Sequence, residues 1–223
     1  MDKVSYTNLA KMWEFVERRA LAHRSPRAKA VSDHAQTAGI PQGSAAQAEL
    51  LDLLVRLTHA TSVIALGTGS VIEAQQLVDG LNGRGQLTAV DSSSQGIALI
   101  RALFTDLDER TDTTLRAVKA SADVFLPRLN AEAYQLIVVS GDASNYAAAF
   151  HEAPRLLEDS GIIVFTDVMA MESAQADGGV LNPADRSDKA VAMRELLDTV
   201  ESDERFDSTL VSCGTGMLLA MKR

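Results

Sequence analysis

The sequence predicts an α/β fold built on a doubly wound, mostly parallel sheet of seven strands. Short, fully apolar runs alternate with longer amphipathic segments, and the last two apolar runs are separated by only a short turn. Strands that are apolar throughout are typical of parallel sheets covered by helices on both faces. Right-handed crossovers between such strands give a doubly wound sheet.

The N-terminal segments are predicted to lie ahead of the sheet. Residues 6–22 carry apolar side chains at mostly helical spacing, which indicates an amphipathic helix. Residues 24–43 are polar, contain two prolines and two glycines, and are expected to be irregular. Ser44 is then expected to cap a further helix, with Gln47 as its partner in a capping box.

Strand and helix units follow one another from residue 63 onward. The predicted parallel strands are residues 63–66, 87–90, 115–118, 136–139 and 161–165. The first strand is followed by a predicted helix that ends near residue 81, and further helices are predicted at 96–107, 124–129, 146–157 and 189–200. The C-terminal part breaks this rhythm, because strands at 206–211 and 217–221 flank a turn at 213–216. Two strands joined by so short a turn must be antiparallel.

Length and composition bound the class of protein. A chain of 223 residues fits a single domain, which we divide into an N-terminal helical extension (1–38) and a Rossmann-like core (39–223). The net charge of −9 argues against non-specific binding to nucleic acid, which needs basic patches. From this pattern we expect neither a membrane span nor a signal peptide. Cys213 is the only cysteine, which fits a reducing compartment, so we expect a cytoplasmic protein.

The first predicted strand continues into a glycine loop, GTGS, at residues 67–70. Glycines let the backbone turn tightly and approach a ligand closely. Asp91 closes the second strand, where a carboxylate can accept both hydroxyls of a ribose. A dinucleotide fingerprint needs a third glycine where this chain has Ile72, which disfavours an NAD-dependent oxidoreductase. Loop and acid together indicate an adenosine ligand, and the alternative is an ordinary glycine turn beside a surface aspartate.

Further segments match a known family in order and spacing. They are residues 63–70 against "vlEiGTxxGyS", 134–146 against "fDliFiDAdKxnY", 156–168 against "lLrpGGlivaDNv" and 214–223 against "GDGlllaxkr". With these motifs the chain resembles the small O-methyltransferases that include the catechol and caffeoyl-CoA enzymes. The resemblance implies a class I methyltransferase sheet, S-adenosylmethionine (SAM) as cofactor, a small-molecule acceptor hydroxyl and a homodimer.

The resemblance also assigns cofactor roles to individual residues. The glycine loop would line the methionine and ribose portions of SAM, and Asp91 would hold the ribose hydroxyls. The third strand end would flank the adenine, and the fourth would face the sulfonium. The cofactor-binding residues implied in this way are Gly67, Thr68, Gly69, Ser70, Asp91, Ser92, Ser121, Ala122, Ser140 and Gly141.

The chain departs from the family at the metal site. The family binds a divalent cation, usually magnesium, through an Asp after the fourth strand and an Asp-Asn pair after the fifth. Those positions are Ser140, Thr166 and Asp167 here. Hard cations prefer anionic oxygen ligands, so we expect no metal ligands and weak or no metal dependence. The alternative, in which Asp142 and Asp167 together rebuild a cation site, stays open.

Catalysis would change with the metal site. In the family the metal lowers the pKa of an acceptor hydroxyl, whose oxygen then attacks the sulfonium methyl. The family's lysine after the metal-binding aspartate is Ala143 here, so one general base is missing. A metal-free reaction needs another base, and Asp142 and Asp167 are the candidate catalytic residues, with His151 less favoured. The alternative function is a catalytically impaired methyltransferase-fold protein that acts as a cofactor-binding or interaction module.

Overall fold

The structure, a computed structural model, describes residues 6–40, 42–67, 71–172 and 176–223. Its strands are β1 (Ser62–Leu66), β2 (Gln86–Asp91), β3 (Thr114–Lys119), β4 (Tyr134–Val139), β5 (Leu157–Phe165), β6 (Phe206–Val211) and β7 (Met217–Lys222). They form one sheet in the order β3-β2-β1-β4-β5-β7-β6. The first five strands are parallel, and β7 pairs antiparallel with both β5 and β6. The predicted fold class is therefore confirmed.

Helices surround this sheet. They are α1 (Tyr6–His23), α2 (Pro26–Thr37), α3 (Ala45–Leu57), α4 (Val71–Leu81), α5 (Ser94–Asp108), α6 (Ala122–Phe125), α7 (Ala143–Leu156) and α8 (Asp188–Glu201), with 3-10 turns at Leu126–Arg128 and Gly179–Leu181. Among the described residues, no helix combines the length and the apolarity needed to cross a bilayer.

Alternating side chains of the central strands supply two separate cores. In β1, Val63 and Ala65 pack into the core beneath α3, α4 and α5. Ile64 and Leu66 of the same strand pack into the core beneath α6, α7 and α8. Since successive residues of a strand point to opposite faces, a fully apolar strand must be covered on both sides. The carboxyl ends of the parallel strands remain at one edge, where the site lies.

The prediction of an irregular segment at residues 24–43 is wrong, because α2 lies within it. Ser25 caps α2 by accepting the amide of Ala28, and proline stands at the first helical position, where its missing N–H costs no hydrogen bond. The only described residues that α2 buries are Ala28 and Ala35, so no large apolar stripe marks it in the sequence. These alanines pack on the core, and the boundary drawn at residue 38 stays a prediction.

The helix predicted at residues 124–129 is shorter and less regular than expected. α6 ends at Phe125 and continues as the 3-10 turn Leu126–Arg128. Pro127 explains the change, because proline has no N–H to continue the α-helical hydrogen bonds. β5 begins at Leu157 rather than at residue 161, directly after α7.

The N-terminus of α3 is capped differently from the prediction. Ser44 accepts the amide of Gln47, as expected, but the Gln47 side chain donates to Glu73 instead of reaching back to Ser44. Glu17 of α1 takes the place of the missing partner. Its carboxylate accepts the Ser44 hydroxyl and the amides of Ala45 (2.6 Å) and the following residue (3.2 Å). An acid from another helix therefore neutralises the positive end of the α3 dipole.

Replacing Glu17 with alanine should destabilise the fold by about 1 to 2 kcal/mol, because the first amides of α3 lose their acceptor. The free energy of unfolding in urea measures the loss. Glu14→Ala is the matched control, since Glu14 is an exposed residue of the same helix. Equal unfolding energies for the two variants would contradict this account of the α3 cap.

Candidate active site

The ends of β1 and β4 approach each other closely. Gly67 follows β1 with φ +81°, and its amide donates to the carbonyl of Val90 at 2.9 Å. A Cβ added to Gly67 would lie 2.2 Å from the carbonyl oxygen of Ser140, a distance that no real side chain tolerates. Glycine is therefore required for the two strand tips to meet. The predicted site residues Thr68, Gly69 and Ser70 lie outside the described residues.

Asp91 lies at the carboxyl end of β2 and is buried. Its Oδ1 accepts the amide of Ser93, which holds the carboxylate in a turn. Within the described residues Oδ2 takes no hydrogen bond, so one carboxylate oxygen stays available. Ser92 beside it is exposed. The role of Asp91 towards a ribose stays a prediction.

The end of β3 lies next to Asp91. The amide of Ala120 donates to the Asp91 carbonyl at 3.0 Å, which brings the tips of β2 and β3 together. Ser121 stands at the N-cap of α6, yet its hydroxyl makes no capping hydrogen bond, and Ala122 is buried behind it. A hydroxyl group and the first amides of a helix therefore lie at the strand end to which the sequence assigns the adenine.

The end of β4 carries the next two predicted residues. Ser140 is buried, and its hydroxyl donates to the carbonyls of Leu66 at 3.1 Å and Gly67 at 3.3 Å. Gly141 follows with φ +76° and is exposed. The Asn145 side-chain amide donates to the Ser140 carbonyl at 3.0 Å and fixes this turn. The Ser140 hydroxyl is consequently occupied by backbone contacts on the β1 side.

Two polar residues follow β5, and both are buried. Thr166 donates its hydroxyl to the Val139 carbonyl at 3.3 Å, and its own carbonyl accepts the Tyr146 hydroxyl at 2.8 Å. Asp167 has φ +50°, and its Oδ1 accepts the amides of Met171 at 2.9 Å and Glu172 at 3.2 Å. Asp167 therefore organises the loop after β5 while its Oδ2 faces the site.

Lys189 of α8 joins the ends of β4 and β5, and sequence reasoning missed it. Its Nζ donates to the Gly141 carbonyl at 2.7 Å and to the Tyr146 hydroxyl at 2.6 Å. The same Nζ lies 3.9 Å from Asp167 Oδ2. Only 18% of the side chain is exposed, and burial lowers the pKa of the ammonium to about 8. A mostly buried cation thus stands between the two strand ends.

Two further acids, also missed, face this cation. Glu73 of α4 is buried and accepts the Gln47 side-chain amide. Glu172 accepts the Thr215 hydroxyl at 3.3 Å. Burial, more than neighbouring charge, raises the pKa of Glu73 to about 8 and that of Glu172 to about 7. Only Glu73 has a signal in the sequence, because it is the one charged residue in the apolar stretch VIEA after the glycine loop.

The residues present do not fit a divalent cation. The hydroxyls of Ser140 and Thr166 both donate to backbone carbonyls, and Asp167 Oδ1 already accepts two amides. In the described part of the chain, no group of three or more His, Cys, Asp and Glu side chains is arranged to hold a metal. Asp142 is an exposed N-cap residue whose side chain makes no capping bond. The proposed Asp142–Asp167 cation site therefore gains no support.

His151, the less favoured base, lies on the exposed face of α7. Its side chain is 84% exposed and its Nδ1 contacts Glu152 at 3.3 Å. Such a residue is in contact with solvent rather than with the strand ends. Asp142 is different, because its charge acts on the Lys189 ammonium and raises the pKa of that group. Of the candidate bases, Asp167 lies 3.9 Å from the Lys189 ammonium, whereas Asp142 influences the pKa of that group through its charge.

The loop before α8 is held by its own polar residues. Asp185 accepts the amides of Gly179 at 2.9 Å and Ser187 at 2.9 Å, and hydrogen bonds from Ser187 hold its pKa at about 2. Arg194 of α8 donates to the carbonyls of Asp185, Gly179 and Asn182. These bonds fix the start of α8, and with it Lys189.

An apolar cavity of about 530 Å³ lies beside the buried acids. Met12, Trp13 and Val16 of α1 form one wall, and residues 212–215 of the β6–β7 turn form another. Thr215 belongs to this wall and also bonds to Glu172. Thr215 consequently connects the cavity to the acids around Lys189.

A family model described as O-methyltransferase matches residues 28–223. This chain belongs to the O-methyltransferase family. A protein from Mycobacterium avium, provisionally named as an O-methyltransferase, is 30% identical over 173 residues, which are 78% of this chain and 75% of that protein. In the present chain the region that the family model matches includes all seven described strands and Lys189.

Solved structures share the fold of this O-methyltransferase. An O-methyltransferase from Bacillus cereus, in complex with SAH, superposes with a TM-score of 0.79 at 17% identity, over 96% of this chain and 99% of that one. The O-methyltransferase TomG from Streptomyces achromogenes, in complex with SAM, gives a TM-score of 0.78 at 17% identity, over 95% and 97% of the two chains. At such identities the likeness establishes the architecture alone.

Glu73→Gln should change how stability depends on pH. Folding raises the pKa of this carboxyl from 4.5 to about 8, so the folded state keeps a proton that the unfolded chain loses. The contribution of Glu73 to the free energy of unfolding therefore falls as pH rises from about 5 to 8. The glutamine has no proton to lose. Between pH 5 and pH 8 the free energy of unfolding of the variant should therefore rise by about 1 to 3 kcal/mol relative to that of the wild type.

Urea unfolding at pH 5, 6.5 and 8 measures this difference, whatever constant offset the substitution adds. Glu201→Gln at the exposed end of α8 is the matched control. A Glu73→Gln difference from wild type that stays constant over the three pH values would rule out a proton held by this carboxyl.

Proposed function

We propose that this O-methyltransferase transfers a methyl group from SAM to a hydroxyl of a small molecule without a divalent cation. The observation that carries the proposal is the row of strand ends at one edge of the sheet, from Ser121 through Asp91 and Gly67 to Ser140. Its spacing and polarity suit an adenosine followed by a charged sulfonium. The SAM and SAH held by two solved structures of the same fold support the choice of cofactor.

The cofactor would lie along this row. Asp91 Oδ2 would accept the ribose hydroxyls with Ser92 beside it, and Ser121 and Ala122 would flank the adenine. The glycine loop, Gly67 with Thr68, Gly69 and Ser70, would line the methionine and ribose portions. Such a placement uses backbone approach at Gly67, which only a glycine permits. Ser140 and Gly141 would face the sulfonium end.

The chain's own residues would orient the acceptor and take its proton. SAM supplies an already electrophilic methyl group, so orientation and exclusion of water are the main tasks of the protein. Asp142 and Asp167 are the proposed bases, and both lie close enough to Lys189 to act on its charge. Asp167 is the better fixed of the two, because two backbone amides hold its other oxygen.

The acceptor would reach this edge from the apolar cavity beside α1. Trp13 supplies an aromatic wall there, while Thr215 and Glu172 connect the cavity to the buried acids. An acceptor with an apolar body and a hydroxyl suits this combination of surfaces. The net charge of −9 argues against nucleic acid as a partner.

Asp91→Asn should weaken SAM binding by roughly tenfold to a hundredfold, because hydrogen bonds to a charged acceptor are stronger than those to a neutral amide. Isothermal titration of the wild type and the variant with SAM measures the change. Asp108→Asn at the exposed end of α5 is the matched control and should bind SAM as the wild type does.

A titration with NAD separates this proposal from a dinucleotide enzyme, since the wild type should release no heat with NAD. If the wild-type protein binds no SAM, or if Asp91→Asn binds it as tightly as the wild type, the proposed cofactor site is wrong.

We further propose a cytoplasmic homodimer that uses the exposed face of α1. Phe15 is 53% exposed, and Met12, Trp13 and Leu9 beside it are similarly uncovered. Exposed apolar clusters of this kind mark interaction surfaces. The single cysteine supports a reducing compartment, because the chain has no second thiol for an internal disulfide.

Phe15→Lys should shift the protein from dimer towards monomer, because a charge would enter the apolar contact. Sedimentation velocity over a range of protein concentrations measures the association. Leu181→Lys is the control, since Leu181 is 71% exposed on a different surface. A monomeric wild type, or a Phe15→Lys dimer as tight as the wild type, would refute an α1 interface.

A further inference from the structure

We propose that the Lys189 ammonium replaces the divalent cation of the family and holds the acceptor oxygen. The inference rests on the proposed function and adds a residue to it. The ends of β4 and β5 carry two hydroxyl residues, Ser140 and Thr166, where the family has metal-binding side chains. A positive charge from another group at this position would lower the pKa of the acceptor hydroxyl and help its oxygen to lose the proton.

Lys189 stands at this position. Its Nζ contacts the carbonyl of Gly141, the second residue after β4, at 2.7 Å. It also lies 3.9 Å from Oδ2 of Asp167, the second residue after β5. The ammonium therefore bridges the two strand ends between which the family holds its cation.

The hydrogen bonds of the ammonium leave room for a ligand. A lysine ammonium has three N–H donors. Two of them go to the Gly141 carbonyl and the Tyr146 hydroxyl. The third has Asp167 Oδ2 at 3.9 Å, too far for a hydrogen bond. The hydroxyl oxygen of an acceptor molecule would accept a hydrogen bond from this third N–H. The hydroxyl proton of the acceptor molecule would pass to the carboxylate of Asp167 or Asp142.

The surroundings fix the cation in place. Nζ lies 3.8 Å from the centre of the Tyr146 ring, which is itself stacked on Phe165. The carboxyl groups of Asp142, Asp167, Glu172 and Glu73 all act on it. Without the lysine, Asp167 would be left as a buried carboxylate with no counter-charge among the residues that the structure describes, which favours binding of a cation from solution. In this chain a tethered ammonium supplies that counter-charge.

Mn²⁺ binding to protein stripped with EDTA tests whether the lysine occupies the cation position. Lys189→Met removes the charge at similar length, whereas Lys189→Arg keeps it. We expect Lys189→Met to bind Mn²⁺ at least about tenfold more tightly than either the wild type or Lys189→Arg, as measured by electron paramagnetic resonance of free Mn²⁺. Adding Asp167→Asn to Lys189→Met should remove this gain. Circular dichroism and thermal midpoints verify that the variants fold.

Equal Mn²⁺ affinities for Lys189→Met and Lys189→Arg, including no binding by either, would overturn the proposal. Tight Mn²⁺ binding by the wild type would overturn it as well. The metal titration needs no SAM, so its failure is distinguishable from failure of the cofactor site, which the SAM titration reports.

The role towards the acceptor oxygen has its own probe. 4-Nitrocatechol, an aromatic diol whose ionised form absorbs at longer wavelength, should bind to the wild type in that form and at least about tenfold more weakly to Lys189→Met. Lys189→Arg should retain part of the spectral change. Equal affinities of the wild type and Lys189→Met for the ionised diol, including no binding, would refute this role.

Discussion

The contact between Lys189 and the ends of β4 and β5 is the interaction on which the rest of the site depends. Four carboxyl groups lie close enough to act on one ammonium. Glu73 and Asp167 are buried, and without that ammonium their charged forms would carry a heavy desolvation cost. Protonation of Glu73 relieves part of the remaining repulsion, and backbone amides hold Asp167. The ammonium of α8 therefore offsets part of the negative charge that α4 and the β5 loop bring to this edge.

The fold could be read from the sequence because its central strands are buried on both faces. A strand such as Leu136-Ile137-Val138 has few alternatives to a parallel sheet between two helical layers. Reasoning failed where burial uses small side chains. α2 rests on Ala28 and Ala35, which show no recognisable hydrophobic period, and Pro26, taken in the sequence as a break, is the first residue of the helix.

The candidate site was predictable only in part. Asp91 and Gly67 could be found because each directly follows an apolar strand, and strand ends meet at one edge. Lys189 and Glu172 could not, since each comes from a segment whose path over the sheet is set by long-range packing. Gln47 illustrates the same limit: its spacing from Ser44 suited a local cap, but its amide serves a residue 26 positions away. Local patterns do not reveal which distant partner a buried polar group will find.

The close approach of β1 and β4 at Gly67 restricts which mutations the gene tolerates at this codon. Every nonsynonymous change of a glycine codon introduces at least a Cβ, and here that atom would lie 2.2 Å from the Ser140 carbonyl oxygen. The positive φ of +81° adds strain for any L-amino acid with a side chain. We therefore expect lineages that keep a working enzyme to show only silent variation at this codon, while the neighbouring strand positions exchange one aliphatic residue for another.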